Sequence, residues 1–380
     1  KTVNKMAQQF EMKKAADQFK RRKISDSGII DTVKMINYRW SEDIFLRHTT
    51  VPNAKSHGLV MFIDWSGSMS DQMLDTLKQL VTLILFCKKV NIPYDVYAFT
   101  TSYHTDGKQK TSLSYDKGDV AIGGFHLLNL MSSSLKNTDW QEMMTYMMMT
   151  MDRYASYSKT DDIFDGYHSC NVSGYGLGGT PLDDCIVTSA KVVEDFRDKY
   201  KLQIVNAIFL TDGCTSGSPI SYSSYDRCGV WNGDTFESTN SRDKVMVLRD
   251  KKTGKIFNNA SGLGGYGKTT ANLLEWFQHT TGIPAIGIFL TDVRSMSWQL
   301  DCDQFDEFKK NKCISLGQYS GYSEYYVICS KTKKFKGVDD LDCDASPVAV
   351  KNAFVRESRI LKTQQNIMNQ FVEKISKETV

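Results

Sequence analysis

Three short, nearly unbroken apolar runs punctuate the chain: GLVMFI at 58–63, LQIVNAIFL at 202–210 and PAIGIFL at 284–290. Runs of this length, rich in Val, Ile, Leu, Met and Phe, predict strands buried on both faces rather than helices. Each ends on a turn that carries an aspartate: Asp64, Asp212 and Asp292. Apolar residues recur instead at helical spacing over 72–90, 182–200 and 269–281, and the Met-rich stretch 139–154 reads the same way. IPYDVYAFT at 92–100 adds another strand, and 125–131 a further short one. Strands alternating with amphipathic helices predict an α/β domain built on a parallel sheet.

The segments outside this rhythm are polar. Residues 1–24 are basic, with apolar positions at near-helical spacing, and read as an amphipathic helix with a solvated basic face. A short helix over 28–38 and an edge strand over 43–47 lead into the first core strand. Residues 101–118 read as an exposed loop or hairpin, 155–179 are Ser-, Tyr- and Gly-rich, and 214–243 read as a long polar loop. KVMVLRDKKTGKIF at 244–257 alternates around Lys-Thr-Gly and predicts a β-hairpin. Residues 293–343 read as irregular apart from a strand at 325–330, and 345–380 as a long polar helix. The division this predicts is an N-terminal helical and basic extension over 1–56, an α/β domain with insertions over 57–330 and a C-terminal helical extension over 331–380.

The chemistry gathers at the strand ends. Asp64-Trp65-Ser66-Gly67-Ser68 follows the first buried strand, and Ser70 and Asp71 stand where the next helix opens. In an open α/β sheet such a turn lies at the carboxyl edge, where ligands bind. A carboxylate and two hydroxyls are hard oxygen donors with little formal charge, a set that suits Mg²⁺. Asp and Ser are also ordinary helix-capping residues, so the same letters admit a purely structural reading.

The D-x-S-x-S pattern resembles the metal-ion-dependent adhesion site of von Willebrand factor A domains. That family adds a Thr from a second loop and an Asp from a third; here GLGGTPLDD offers Thr180 and IFLTDG offers Asp212, in the right order. The resemblance covers roughly residues 57–292. It implies a doubly wound, mostly parallel, Rossmann-like sheet with a metal at its carboxyl edge. It also implies Ser66, Ser68 and Thr180 near the ion, with Asp64 and Asp212 acting directly or through water. The ion expected is Mg²⁺, with Mn²⁺ or Ca²⁺ as alternatives, and the sixth position is completed by an Asp or Glu of a protein partner. DIFLR, HGLVMFIDWSGSMSD, FCKKVNIPYDVYAF and GGTPLDD further resemble phage-encoded proteins of that family, often labelled peptidases, and the metallo-subunit of cobalt chelatase. That likeness implies a MoxR-type AAA+ ATPase as partner, and a chelatase subunit or a peptidase as the rival reading. Trp65 is bulkier than the residue usual between Asp and Ser; it either shapes the rim of the site or packs.

Two other motifs compete. Gly262 to Thr269, GLGGYGKT, satisfies the phosphate-loop pattern, but such a loop needs a buried strand directly before it. Asn258-Asn259-Ala260-Ser261 stands there instead, so the stretch reads as a Gly-rich surface loop. None of the 6 His lies in an H-E-x-x-H helix and Ser66 lies in no G-x-S-x-G elbow, which argues against hydrolase chemistry.

Composition changes the picture little. The 380 residues suffice for one large domain or two modest ones, and a net charge of +3 gives no footprint for nucleic acid. No apolar run approaches the roughly 18 residues of a membrane span. The 9 Cys are scattered, with Cys87 and Cys185 inside helical patterns and no zinc spacing among Cys302, Cys313, Cys329 and Cys343. Free thiols in a reducing cytoplasm, that of a host cell if the chain is phage-encoded, are the expectation. The chain opens on Lys1 without a signal-peptide pattern, which leaves room for an upstream leader or domain.

Overall fold

A computed structural model of the chain describes residues 56–101, 120–121, 125–157, 177–211, 229–232, 235–238, 248–250, 253–258, 264–291, 300–311 and 313–329, with short pieces of the first 50 residues and isolated positions elsewhere. Seven strands form the central sheet: β1 (His57–Asp64), β2 (Tyr94–Thr101), β3 (Phe125–Ser132), β4 (Ile204–Thr211), β5 (Ala285–Thr291), β6 (Cys313–Ser315) and β7 (Glu324–Cys329). Their order is β6-β7-β5-β4-β1-β2-β3. The inner pairs are all parallel, while β3 and β6 close the two edges antiparallel. This is an α/β, doubly wound, mostly parallel sheet, as the alternation of strands and helices predicts.

The helices α1 (Ser70–Lys89), α2 (Asn137–Tyr157), α3 (Leu182–Tyr200), α4 (Gly264–Thr281) and α5 (Cys302–Asn311) cover it. The period-2 geometry of β1 shows how one strand serves two cores. Leu59, Met61 and Ile63 join Met73, Leu77, Ile84 and Phe86 of α1 and Met144 and Met147 of α2. Val60 and Phe62 point the other way, to Ile186, Val193 and Phe196 of α3 and to Leu274 and Phe277 of α4. All eight residues of β1 are buried, which is why its sequence carries no polar alternation. At the centre of the second layer Phe209 stacks on Phe62 at 5.0 Å and meets Phe277 edge-on at 5.9 Å.

Several boundaries differ from the sequence reading. The helix expected over 269–281 starts at Gly264, so Gly-Gly-Tyr-Gly-Lys is helical and not a surface loop. The region read as irregular holds α5 and β6, which pack Phe308 and Ile314 into a small third cluster with Val327. The predicted hairpin is present where it is described, Leu248–Arg249 pairing antiparallel with Ile256–Phe257. The short helix over 28–38, the edge strand over 43–47 and the extension over 331–380 lie outside the described residues. Among the described residues no helix is long and apolar enough to cross a membrane.

Candidate metal centre

The strand order reverses between β1 and β4. From β1 the chain passes through α1 to β2 on one side. From β4 it passes through α4 to β5 on the other. The carboxyl ends of β1 and β4 therefore open a crevice, the point at which doubly wound sheets take their ligands. Asp64 is the last residue of β1 and is completely buried; Thr211 is the last of β4. The Thr211 hydroxyl donates to Asp64 Oδ2 at 2.8 Å. That bond fixes the carboxylate across the switch point.

Beyond Asp64 the chain turns through a single 3₁₀ turn, Gly67–Met69, before α1. Ser66 is buried in extended geometry, Ser68 is exposed, and their hydroxyl oxygens stand 3.0 Å apart. Ser66 precedes the 3₁₀ turn without a side-chain capping bond, and the residue at the cap of α1 is Met69, not Ser70 or Asp71. The Ser66 hydroxyl thus reaches Ser68 rather than the helix end.

The Thr180 loop is locked onto this turn by backbone. Gly67 N–H donates to the Gly178 carbonyl at 2.9 Å, and Gly178 N–H donates to the Trp65 carbonyl at 3.1 Å. Gly179 N–H donates to the Thr101 hydroxyl at 2.6 Å, at the end of β2. The approach leaves no space for a side chain at position 178, where a Cβ would stand 2.1 Å from the Thr101 carbonyl oxygen. The glycines before Thr180 therefore do what their position in the sequence suggests: they let the loop come close. Thr180 is buried, 6% exposed, and Pro181 leads directly into α3. Trp65 packs rather than rims, at 3% exposure inside the α1 core.

Of the five residues the sequence nominates, Asp64, Ser66, Ser68 and Thr180 stand on segments joined by these bonds. Asp212, one residue past the end of β4, lies outside the described residues. Among the described residues no three His, Cys, Asp or Glu side chains form a metal-holding group. The donors gathered here are mainly hydroxyls. A set of neutral oxygens with one carboxylate fits Mg²⁺ better than a softer metal. Two oxygens in adjacent positions of a Mg²⁺ octahedron lie about 2.9 Å apart, from ligand distances of about 2.0–2.1 Å. The Ser66 and Ser68 hydroxyls are hydrogen-bonded to each other at 3.0 Å.

The first turn of α3 holds two residues that the sequence pattern does not single out, Asp183 and Asp184. Acidic residues there favour the helix dipole and normally face water, yet these are 4% and 2% exposed. The Thr270 hydroxyl of α4 donates to Asp183 Oδ1 at 2.6 Å. Burial raises the Asp183 carboxyl to about 7 against the pull of that bond. Burial first, then the charges of Asp184 and Asp64, hold the Cys185 thiol well above its ordinary range. Only the fold reveals these positions, because it takes α4 to bury them.

Among the described residues no core strand directly precedes the phosphate-loop lookalike. The strand upstream is Ile256–Phe257 of the two-stranded hairpin, and Gly267-Lys268-Thr269 sits inside α4 rather than at its start.

No protein-family model matches this sequence, and no curated protein matches it. Solved structures are similar at low identity. The pilus adhesin SpaC from Lactobacillus rhamnosus GG, in an open conformation, aligns over 86% of this chain with a TM-score of 0.41 and 11% identity. The chain spans 31% of that protein. The vWF domain of the type V pili tip protein Mfa5 from Porphyromonas gingivalis aligns over 63% of this chain and 82% of its own, at 11% identity and a TM-score of 0.28. A three-domain piece of the same tip protein gives 0.27, at 11% identity over 62% of this chain and 42% of that one. The fold class rests on the chain's own strand order: an α/β, doubly wound, mostly parallel sheet with an oxygen-lined turn at its switch point.

Proposed function

We propose that the chain is a metal-dependent protein-interaction module. Asp64, Ser66, Ser68, Thr180 and Asp212 hold a Mg²⁺ at the carboxyl edge, and the ion captures an Asp or Glu of a protein partner. The observation that carries this reading is the pair of serine hydroxyls at the switch point, 3.0 Å apart, in the turn that follows the buried carboxylate of Asp64. A hard dication supplies the pull on a partner carboxylate; the chain supplies the oxygens and their spacing. Mg²⁺ keeps several waters and accepts a carboxylate from another molecule readily. The likeness to the cobalt chelatase subunit makes a MoxR-type AAA+ ATPase a candidate for that partner.

The test uses the full chain and Mn²⁺ as a paramagnetic stand-in for Mg²⁺, with glutamate added to complete the site. Binding of one Mn²⁺, displaced by Mg²⁺ and weakened at least about tenfold in Asp64→Asn and in Ser66→Ala, supports the reading; tenfold corresponds to about 1.4 kcal/mol. Mn²⁺ that binds the parent and both variants alike overturns it.

A further inference from the structure

We infer that Asp183 is a latch between α3 and α4 that closes when its carboxyl carries a proton. Three observations lead there. The side chain is 4% exposed at the start of α3. Oδ1 has the Thr270 hydroxyl as its partner at 2.6 Å, whereas Oδ2 is buried with no hydrogen-bond partner among the described residues. A buried carboxylate with one oxygen unanswered is costly as an anion and tolerable as a neutral acid.

Among the described residues, the charged and titratable groups around it do not supply a counter-charge. On α3 itself Asp184 and Cys185 follow, and Lys191 lies two turns further on, exposed and paired with Asp195. On β1 Asp64 stands at the same sheet edge, while His57 stands at the opposite end. The buried residues of α4 near its start are Thr269, Thr270 and Asn272; Glu275 and His279 come later in the helix. On β2 and β3, Asp95 lies at the far edge of the sheet and His126 is exposed. β4 carries no charged side chain. The Lys268 side chain lies outside the described residues. Burial is the largest influence on the carboxyl and raises it to about 7, with the Thr270 bond opposing.

The sign follows from linkage. The folded chain holds this proton to about pH 7, whereas an unfolded Asp releases it near 3.9. Between those values the folded state binds more protons, so stability declines as pH rises and the decline is complete above the folded pKa. The inference does not depend on the metal reading, because neither Asp183 nor Thr270 belongs to the proposed ligand set.

The experiment is thermal unfolding of the full chain and of Asp183→Asn at intervals from pH 5 to 8.5, without divalent metal. Asn keeps the acceptor for Thr270 and removes the charge. The expected result is that the parent melts progressively lower relative to the variant as pH rises, by at least about 2 °C across the range. A constant difference across the range overturns the latch. So does a variant that fails to fold, since a neutral isostere should be accepted. Carbon-13 spectra of the parent's carboxyl groups give an independent reading. One aspartate signal should titrate between pH 6 and 8, and the absence of any such signal overturns the latch equally.

Discussion

At the residue scale the candidate centre separates side chains that hold the fold from those that do not. Ser66 makes no capping bond and Ser68 is exposed. Ser68→Ala should therefore change stability by no more than about 0.5 kcal/mol, as surface changes usually do, while Mn²⁺ affinity falls; calorimetric titration beside a thermal melt reads both. Asp64→Ala is different, because the carboxylate accepts the Thr211 hydroxyl inside the sheet. Its loss should cost about 1–3 kcal/mol in a denaturant titration, and Asp64→Asn, which keeps an acceptor, less. Cysteines sort by the same logic. Cys302 is exposed, whereas Cys87 and Cys185 are buried, with Cys87 pushed up to about 12. A thiol reagent at pH 8 should modify Cys302 in the folded chain and reach Cys87 and Cys185 only after denaturant is added, which peptide mapping would reveal.

At the element scale, Gly178 is where backbone has to meet backbone. Gly178→Ala would push a methyl against the Thr101 carbonyl and the Thr100 hydroxyl, so a loss of about 1–3 kcal/mol is expected, measured by urea unfolding. The helix α4 makes a second prediction. Its Lys268 stands in the second turn, after a hairpin strand, and not in a phosphate cradle. ATP should leave the melting temperature unchanged in both the parent and Lys268→Ala; a rise in the parent alone would mean a nucleotide site. Elements such as β1, α1, α3, β4 and β5 were legible because their apolar spacing is dense and they bury what they display. The first five residues of α4 were not, since three of them are glycines, whose low helix propensity reads as loop. Nor was α5, whose buried anchor is the single residue Phe308 among charged neighbours. The close approach of the Thr180 loop to the turn after β1 was legible in the glycines before Thr180, while Asp212 lies outside the described residues. The burial of Asp183 was not, because it depends on a helix some 80 residues later.

At the scale of the whole molecule the sheet divides two apolar layers, and Phe209 sits at the centre of one. Phe209→Ala should cost about 3–5 kcal/mol and lower the denaturant midpoint, as removal of a buried aromatic does. The strand β1 joins both layers and both halves of the sheet. On one edge it pairs with β2, some 30 residues on; on the other it pairs with β4, whose Thr211 follows Asp64 by 147 residues. As the polypeptide leaves the ribosome at about 5–20 residues per second, that second edge stays unpaired for roughly 7–30 s. Throughout that interval a mostly apolar strand offers its hydrogen-bonding groups to any neighbouring nascent chain. Overproduction that crowds polysomes should thus drive this protein into inclusion bodies, and slower, cooler synthesis with abundant chaperone should recover it.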